Sequence, residues 1–321
     1  MFSRLIYALV ASVMVLLPAV ALAQAYPNKP IRLIVPFAPG GTNDILGRMV
    51  AMHLSETLGQ HVIVDNRPGH QGIIGTNLGA KAEPDGYTLV MISSAYTMNP
   101  VTTKMPYDSL TALVFIARIG ASFLIVSVNP SLHINSISDL LAEAGRRPGE
   151  LAMASSGGFM QFASALFQSL SHRKFNIVLY KGGSPAMMDV IGGYAQVHLA
   201  VSVPALPHLR AGRLKGLAVA LPKRSELLPG LPTLNEAGIK GYEAQNWYAV
   251  AAPAGTPRAI VSRLNNEIGR FFTSPEMQKK MTAMGAVIHI EGPDQMRKII
   301  PAEIKKWTKV AIEAGIPRAA N

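Results

Sequence analysis

The sequence predicts an α/β fold of two lobes, each a mainly parallel sheet flanked by helices. Strand-length apolar runs alternate with helix-periodic segments along the chain, the pattern of strands whose two faces are covered by helices. At 321 residues the chain exceeds what one core usually organises, so two domains are expected. Its 28 Gly and 23 Pro punctuate the apolar runs without forming a repeat or a low-complexity tract, as in an ordinary globular chain.

The first element is a targeting segment. Arg4 precedes an apolar stretch from Leu5 to Val20, which ends in Ala21, Leu22 and Ala23. That is the pattern of a secretory signal peptide, residues 1–23, with a small-residue cleavage site. An uncleaved anchor is the competing reading, since the run approaches spanning length. With no Cys in the chain, lipid attachment, disulfides and thiolate metal sites are excluded.

Ile31 to Val35 reads as a buried strand, Pro36 to Gly41 as a turn, and Leu46, Met49, Val50, Leu54 and Leu58 as one face of a helix closed by Gly59. Val62 to Val64 completes a β-α-β unit. A helix near Gly75 to Ala82, a strand from Tyr87 to Ile92 and a β-rich stretch from Val114 to Val128 follow. In the middle, Ile137 to Ala144 and Phe162 to Leu170 read as helices, and Ile177 to Leu179, Val197 to Val201 and Leu217 to Ala220 as strands of a second lobe. Tyr248 to Ala252 is a further strand. A C-terminal helix starting near Pro301 places Ile304, Trp307 and Ala311 on one face, with Trp307 as a core residue.

The net charge of +11 comes from scattered pairs such as Arg146-Arg147 and Lys305-Lys306. No basic run interleaved with aromatics accompanies them, so nucleic acid is not an expected partner. A G-x-S-x-G elbow, an H-E-x-x-H helix, a Walker A loop and a dinucleotide fingerprint are all missing from the sequence. The eight His residues are dispersed without metal-ligand spacing. Neither a cofactor, a metal nor a catalytic residue is predicted.

The strongest local signal is Pro36 to Asp44, between a strand and a helix. Glycines let backbone approach a ligand, and a helix start offers unpaired N–H groups and the positive end of its dipole, which suits an anion. A tight turn with a capped helix fits the residues equally well. Ser93-Ser94 with Tyr96, Ser155 to Gly158 and Lys181 to Ser184 also follow apolar strands, where ligands of α/β sheets collect. Taken singly, each is an ordinary Ser/Gly turn.

Taken as a set, these segments are recognisable. VPFAPGGTND (35–44), DNRPG (65–69), PDGYTL (84–89), YKGG (180–183), LPHLRAG (206–212), PTLNEAG (232–238) and APAGTP (252–257) occur in order along the chain. The sequence resembles the Bug family, periplasmic solute receptors associated with tripartite tricarboxylate transporters. The resemblance implies a Venus-flytrap periplasmic binding fold of type II, with a discontinuous first lobe (24–122 and 249–321) and a second lobe at 123–248. The crossovers would lie near Phe123 and Trp247. It further implies a monomer in the periplasm that closes on a small organic or aromatic carboxylate. Its partners would be inner-membrane transporter subunits or, alternatively, a sensor kinase.

Carried over by position, the resemblance implies ligand contacts from Phe37, Gly40, Gly41, Thr42, Asp44, Ser93, Ser94, Tyr96, Ser155, Ser156, Gly157, Gln161, Lys181 and Ser202. Two departures stand out. Gln161 occupies the neighbourhood of a usual His, and His198 and Ser202 replace acidic or amide residues on one strand. With Phe159, Met160 and Phe162 nearby, these changes predict a less acidic, more apolar second wall and a ligand without an ammonium group.

Overall fold

The computed structural model describes residues 26–156, 158–242, 244–313 and 315–319; the predicted signal peptide lies outside them. No helix among the described residues is long and apolar enough to cross a membrane.

The chain builds two sheets. The first lobe opens with β1 (Ile31–Val35), α1 (Thr42–Leu58) and β2 (Val62–Asn66), then a 3₁₀ turn at His70–Gly72 and α2 (Ile73–Ala80). β3 (Thr88–Ser93), α3 (Ala95–Thr102) and β4 (Leu113–Ser122) follow. After Phe123 the chain enters the second lobe with β5 (Leu124–Val128), α4 (Ile137–Arg146), β6 (Ala152–Ser155) and α5 (Phe159–Ser171). That lobe continues through β7 (Asn176–Leu179), α6 (Gly183–Ile191), β8 (Val197–Val201), α7 (Ser202–Arg210) and β9 (Lys215–Val219). The return is β10 (Asn246–Pro253), followed by α8 (Arg258–Thr273), α9 (Pro275–Ala283), β11 (Ala286–Val287) and α10 (Pro293–Glu313).

The sheet orders are β11-β4-β10-β3-β1-β2 and β7-β6-β8-β5-β9. The two-sheet α/β architecture is the one predicted, but the pairing is mixed rather than mainly parallel. β1, β2 and β3 run parallel, as do β6, β7 and β8. β10 lies antiparallel to β3 and β4, and β5 antiparallel to β8 and β9. The reason is the route of the chain. A strand that enters a lobe from its neighbour comes from the end where the parallel strands finish, so it must run against them.

This topology sets the strand ends. β1, β3, β6 and β8 finish, and β5 and β10 begin, at the edge where the sheets adjoin. Loops of both lobes therefore meet there, as expected at the carboxyl ends of an open α/β sheet.

Two helices are shared. α10 begins on the first sheet through Met296 and Ile300 and ends in the second lobe's core through Trp307 and Ala311. α3 contributes Met98 and Val101 to that same core. The predicted helix start near Pro301 is corrected: the helix begins at Pro293, and Pro301 lies inside it on the exposed side. Pro293 and Asp294 supply the initiating signals. The buried stripe Met296, Ile300, Trp307 and Ala311 outweighs the single backbone hydrogen bond that Pro301 forfeits.

Close backbone approach selects glycine at one point behind the first loop. A Cβ on Gly75 would sit 2.6 Å from the Arg67 carbonyl oxygen and 2.8 Å from Pro36 Cα. Because both neighbours are backbone, Gly75→Ala should cost about 1–3 kcal/mol. Gly183→Ala, where a Cβ meets nothing within 4 Å, should be close to neutral. Thermal melts of the two variants provide the comparison.

Candidate ligand cleft

Local chemistry builds the first loop. Gly40 takes φ +82°, which glycine adopts without strain, and its N–H donates to Asp44 Oδ2 at 3.0 Å. Arg48 Nε donates to the same oxygen at 3.0 Å, and Asn66 Nδ2 to Asp44 Oδ1 at 3.0 Å. Asn66 Nδ2 also reaches the Phe37 carbonyl at 3.1 Å. Burial would raise the Asp44 carboxyl, but the hydrogen bonds from Arg48, Gly40 and Asn66 outweigh it and hold the group below its usual range. Asp44 therefore favours the carboxylate form, and its two oxygens already accept from Gly40, Arg48 and Asn66, which shapes the loop around Gly40.

Behind the loop runs a buried polar chain. Thr42 hydrogen-bonds the Tyr248 hydroxyl. That hydroxyl also lies 2.8 Å from Ser122 Oγ and accepts from Asn246 Nδ2 at 2.8 Å. Ser94 Oγ donates to Asn246 Oδ1 at 2.6 Å. The first helix, the start of α3, the end of β4 and the returning strand are thereby tied together. Burial pushes the Tyr248 hydroxyl up to about 12, so it stays neutral at physiological pH. Ser93 is buried and pairs in the ladder opposite Tyr248.

Ser155 ends β6 on the facing lobe, fully buried, and its Oγ has no hydrogen-bond partner among the described residues. Ser156 is half-buried beside it, and Gln161 is half-buried on the first turn of α5. Gly157 lies outside the described residues. A Cβ on Gly158 would meet Ala95 Cβ at 3.4 Å and Gln71 Oε1 at 3.6 Å, so this loop abuts the first lobe at the start of α3.

Of the predicted site residues, the structure gathers Phe37, Gly40, Gly41, Thr42, Asp44, Ser93 and Ser94 on the first lobe's edge. Ser155, Ser156 and Gln161 stand on the other. Two expected contacts are engaged elsewhere. The Tyr96 hydroxyl donates to the Ser109 carbonyl at 2.8 Å, and only its ring borders the cleft side, because its edge-on and stacked neighbours Phe115 and Tyr107 hold it in the core. Ser202 Oγ donates to the Gly285 carbonyl at 2.6 Å, fastening α7 to the first lobe. Lys181 is exposed after β7, with no carboxylate within ion-pair distance among the described residues.

The expected apolar second wall is also corrected. Phe159, Met160 and Phe162 pack inward around Trp307. His198 is 2% exposed and bonds the Ala154 carbonyl through Nδ1 at 2.9 Å. The helical period of α5 turns its aromatic stripe to the core, where it buries the most area.

Sequence reasoning missed Gln71, Asn99, Asn246 and Tyr248. Gln71 adopts φ +56° in the turn between Gly69 and Gly72, and its carbonyl accepts from Asn99 Nδ2 at 3.1 Å. A void of about 10 Å³ bordered by Phe37, Gln71, Ser93, Tyr96 and Asn99 lies under this turn. DNRPG was the available signal for Gln71, since glycines flanking a short polar run mark a turn of unusual backbone.

Several helix starts gather at this edge. α3, α5, α6 and α7 start here with neither a side-chain cap nor an acidic residue in the first turn. α1 has no side-chain cap either, and the acid in its first turn, Asp44, is matched by Arg48. By contrast α4, starting at the opposite end of its sheet, is capped by Ser136 and carries Asp139. The adjoining edges thus collect helix starts without side-chain caps and the positive ends of their dipoles, which favour an anion.

Residues 46–316 match the tripartite tricarboxylate transporter family receptor. The chain is similar to protein BugT of Bordetella pertussis, 37% identical over 91% of each chain. Among solved structures it resembles R. palustris Rpa4515 with adipate, at a TM-score of 0.88 and 35% identity over 91% of this chain and 99% of the other. It also resembles MatC from Rhodopseudomonas palustris with bound malate, at a TM-score of 0.82 and 25% identity over 89% and 99%. On the matched length, the ordered motifs and the shared two-sheet fold, the chain belongs to the tripartite tricarboxylate transporter receptor family, whose members are periplasmic binding proteins rather than enzymes.

Proposed function

We propose that this protein captures a small organic carboxylate, aliphatic or aromatic, between its two lobes and presents it to the membrane subunits of a tripartite transporter. The observation that carries the reading is the set of uncapped helix starts facing a buried Ser155 hydroxyl that lacks a partner. A carboxylate supplies the acceptors these groups lack. The bound adipate and malate of the similar structures support that chemistry. The first lobe would hold the anion through the N–H groups of Gly41 and Thr42, on a loop kept rigid by Asp44, while Ser94 spends its hydroxyl on Asn246 behind them. The second lobe would close with Ser155 and Ser156, with Gly157 and Gln161 beside them. Phe123 and the return near Trp247 would act as hinges between segments 24–122 with 249–321 and 123–248. The protein would work as a monomer, free in the periplasm after removal of residues 1–23.

The test is a thermal-shift screen of ligand-free protein against mono-, di- and tricarboxylates. At least one acid should raise Tm in a concentration-dependent way. A folded protein that responds to none of the panel contradicts the reading. Ser155→Ala adds a sharper expectation: binding of the best acid weakens by about ten- to a hundredfold, the worth of a hydrogen bond to a charged group. Stability of the free protein stays level or rises, because the lost hydroxyl had no partner to leave behind. Calorimetry and melts on the same samples separate the two effects.

A further inference from the structure

At the far end of the first sheet from the cleft, where β4 begins and β10 ends, lies a groove of about 720 Å³. Its volume falls within the range of small-molecule sites. The floor is apolar, from Leu113, Phe115, Met296 and Ile300. The rim is polar and cationic, from Arg258 and Arg297.

The charges are not balanced. Arg297 is paired with Asp294 at 2.6 Å. Arg258 has no carboxylate within ion-pair distance among the described residues, and it stands at the first position of the 16-residue helix α8. That helix has no side-chain cap and no acid in its first turn, whereas α10, which also starts at this end, carries Asp294. A cation at the positive end of an uncapped helix is an unfavourable placement that a bound anion would relieve. Independently, Ser109 borders the groove at 7% exposure, and its Oγ is buried without a hydrogen-bond partner among the described residues.

We propose that this groove is a second ligand site, for a small amphipathic anion that lays an apolar body on Leu113, Phe115, Met296 and Ile300 and its acid group against Arg258 and the start of α8. The site is separate from the cleft, because it sits at the other end of β10. It does not depend on what the cleft binds.

Octanoate is the probe, with octanol as its uncharged counterpart, titrated by calorimetry into the full chain. Octanoate should bind the wild type, and octanol about tenfold or more weakly, since the acid group supplies the charge contact. Arg258→Glu should lower octanoate affinity by about tenfold or more. Its Tm should be unchanged or slightly higher, because Arg258 is exposed and an acid suits the start of a helix. Ser155→Ala, in the cleft, should leave octanoate binding as in the wild type. Several results overturn the proposal: no octanoate binding at ~10 mM, equal affinity in Arg258→Glu, or loss in Ser155→Ala, which would put octanoate in the cleft. Capture of an acidic peptide at Arg258 without octanoate binding would assign the groove to a protein partner and overturn it as well.

Discussion

Trp307→Ala should lower unfolding stability by about 3–5 kcal/mol, the usual cost of deleting a buried indole. Trp307 is 1% exposed and meets Phe162 and Phe159 edge-on, with ring centroids 5.8 and 6.4 Å away. Its Nε1 donates to Glu303 Oε2 at 2.7 Å, and Lys306 lies over the ring at 5.1 Å. The indole is carried by α10, whose earlier turns are seated on the first sheet through Met296 and Ile300. Truncation therefore opens a cavity where the two lobes share a helix. Amide exchange should accelerate more in α5, which loses its packing partner, than in α1, which touches none of these residues. Trp307→Phe should recover most of the loss, because volume and ring contacts carry more energy than the half-buried hydrogen bond. Urea unfolding with exchange mass spectrometry reads all of this. A melt unchanged in Trp307→Ala would refute the account of the shared core.

That residue also marks how far the sequence can be read. Trp307 was legible as core because Ile304 and Ala311 share its helical face. The β1-α1-β2 unit was legible because its periods switch from two to 3.6 within a few residues. Local pattern fails where partners are distant. Ser94 and Asn246 are 152 positions apart, so neither residue's surroundings hint at the polar chain beneath the first loop. α3 and α7 were not foreseen because each contains a proline, Pro100 and Pro207, which reads as a helix breaker. The strand-to-helix position of the Pro36 to Asp44 loop was legible, and Asp44 was expected among the ligand contacts. Only the geometry reveals that Gly40, Arg48 and Asn66 already occupy its oxygens. The converse holds for Phe159, Met160 and Phe162. Their nearness to the Ser155 loop suggested a pocket wall, and helix α5 carries them into the core.

His198 should make the protein lose stability in mild acid. The ring is 2% exposed in β8, and its Nδ1 donates to the Ala154 carbonyl of the neighbouring strand at 2.9 Å. A carbonyl can only accept, so Nδ1 carries the proton of the neutral ring. Burial opposes a second proton and, despite the Ala154 bond, moves the pKa down from 6.5 to about 4. Above pH 6.5 both folded and unfolded chains hold the ring neutral, and the native state has its full stability. As pH falls below 6.5 the unfolded chain takes a proton that the native chain refuses. Stability then declines by up to 1.36 kcal/mol per pH unit, levelling off near pH 4 with a total loss of roughly 3 kcal/mol. Gln can keep an N–H for the Ala154 carbonyl and has nothing to titrate. His198→Gln should therefore remove this part of the slope between pH 6.5 and 4, whatever modest cost it carries at pH 7. His208, which burial and Arg213 also hold low, contributes equally to both proteins and cancels in the difference. Unfolding free energies of the two proteins at pH 7, 6 and 5 decide the matter, since parallel curves would mean that the buried ring takes up its proton as readily as a free one.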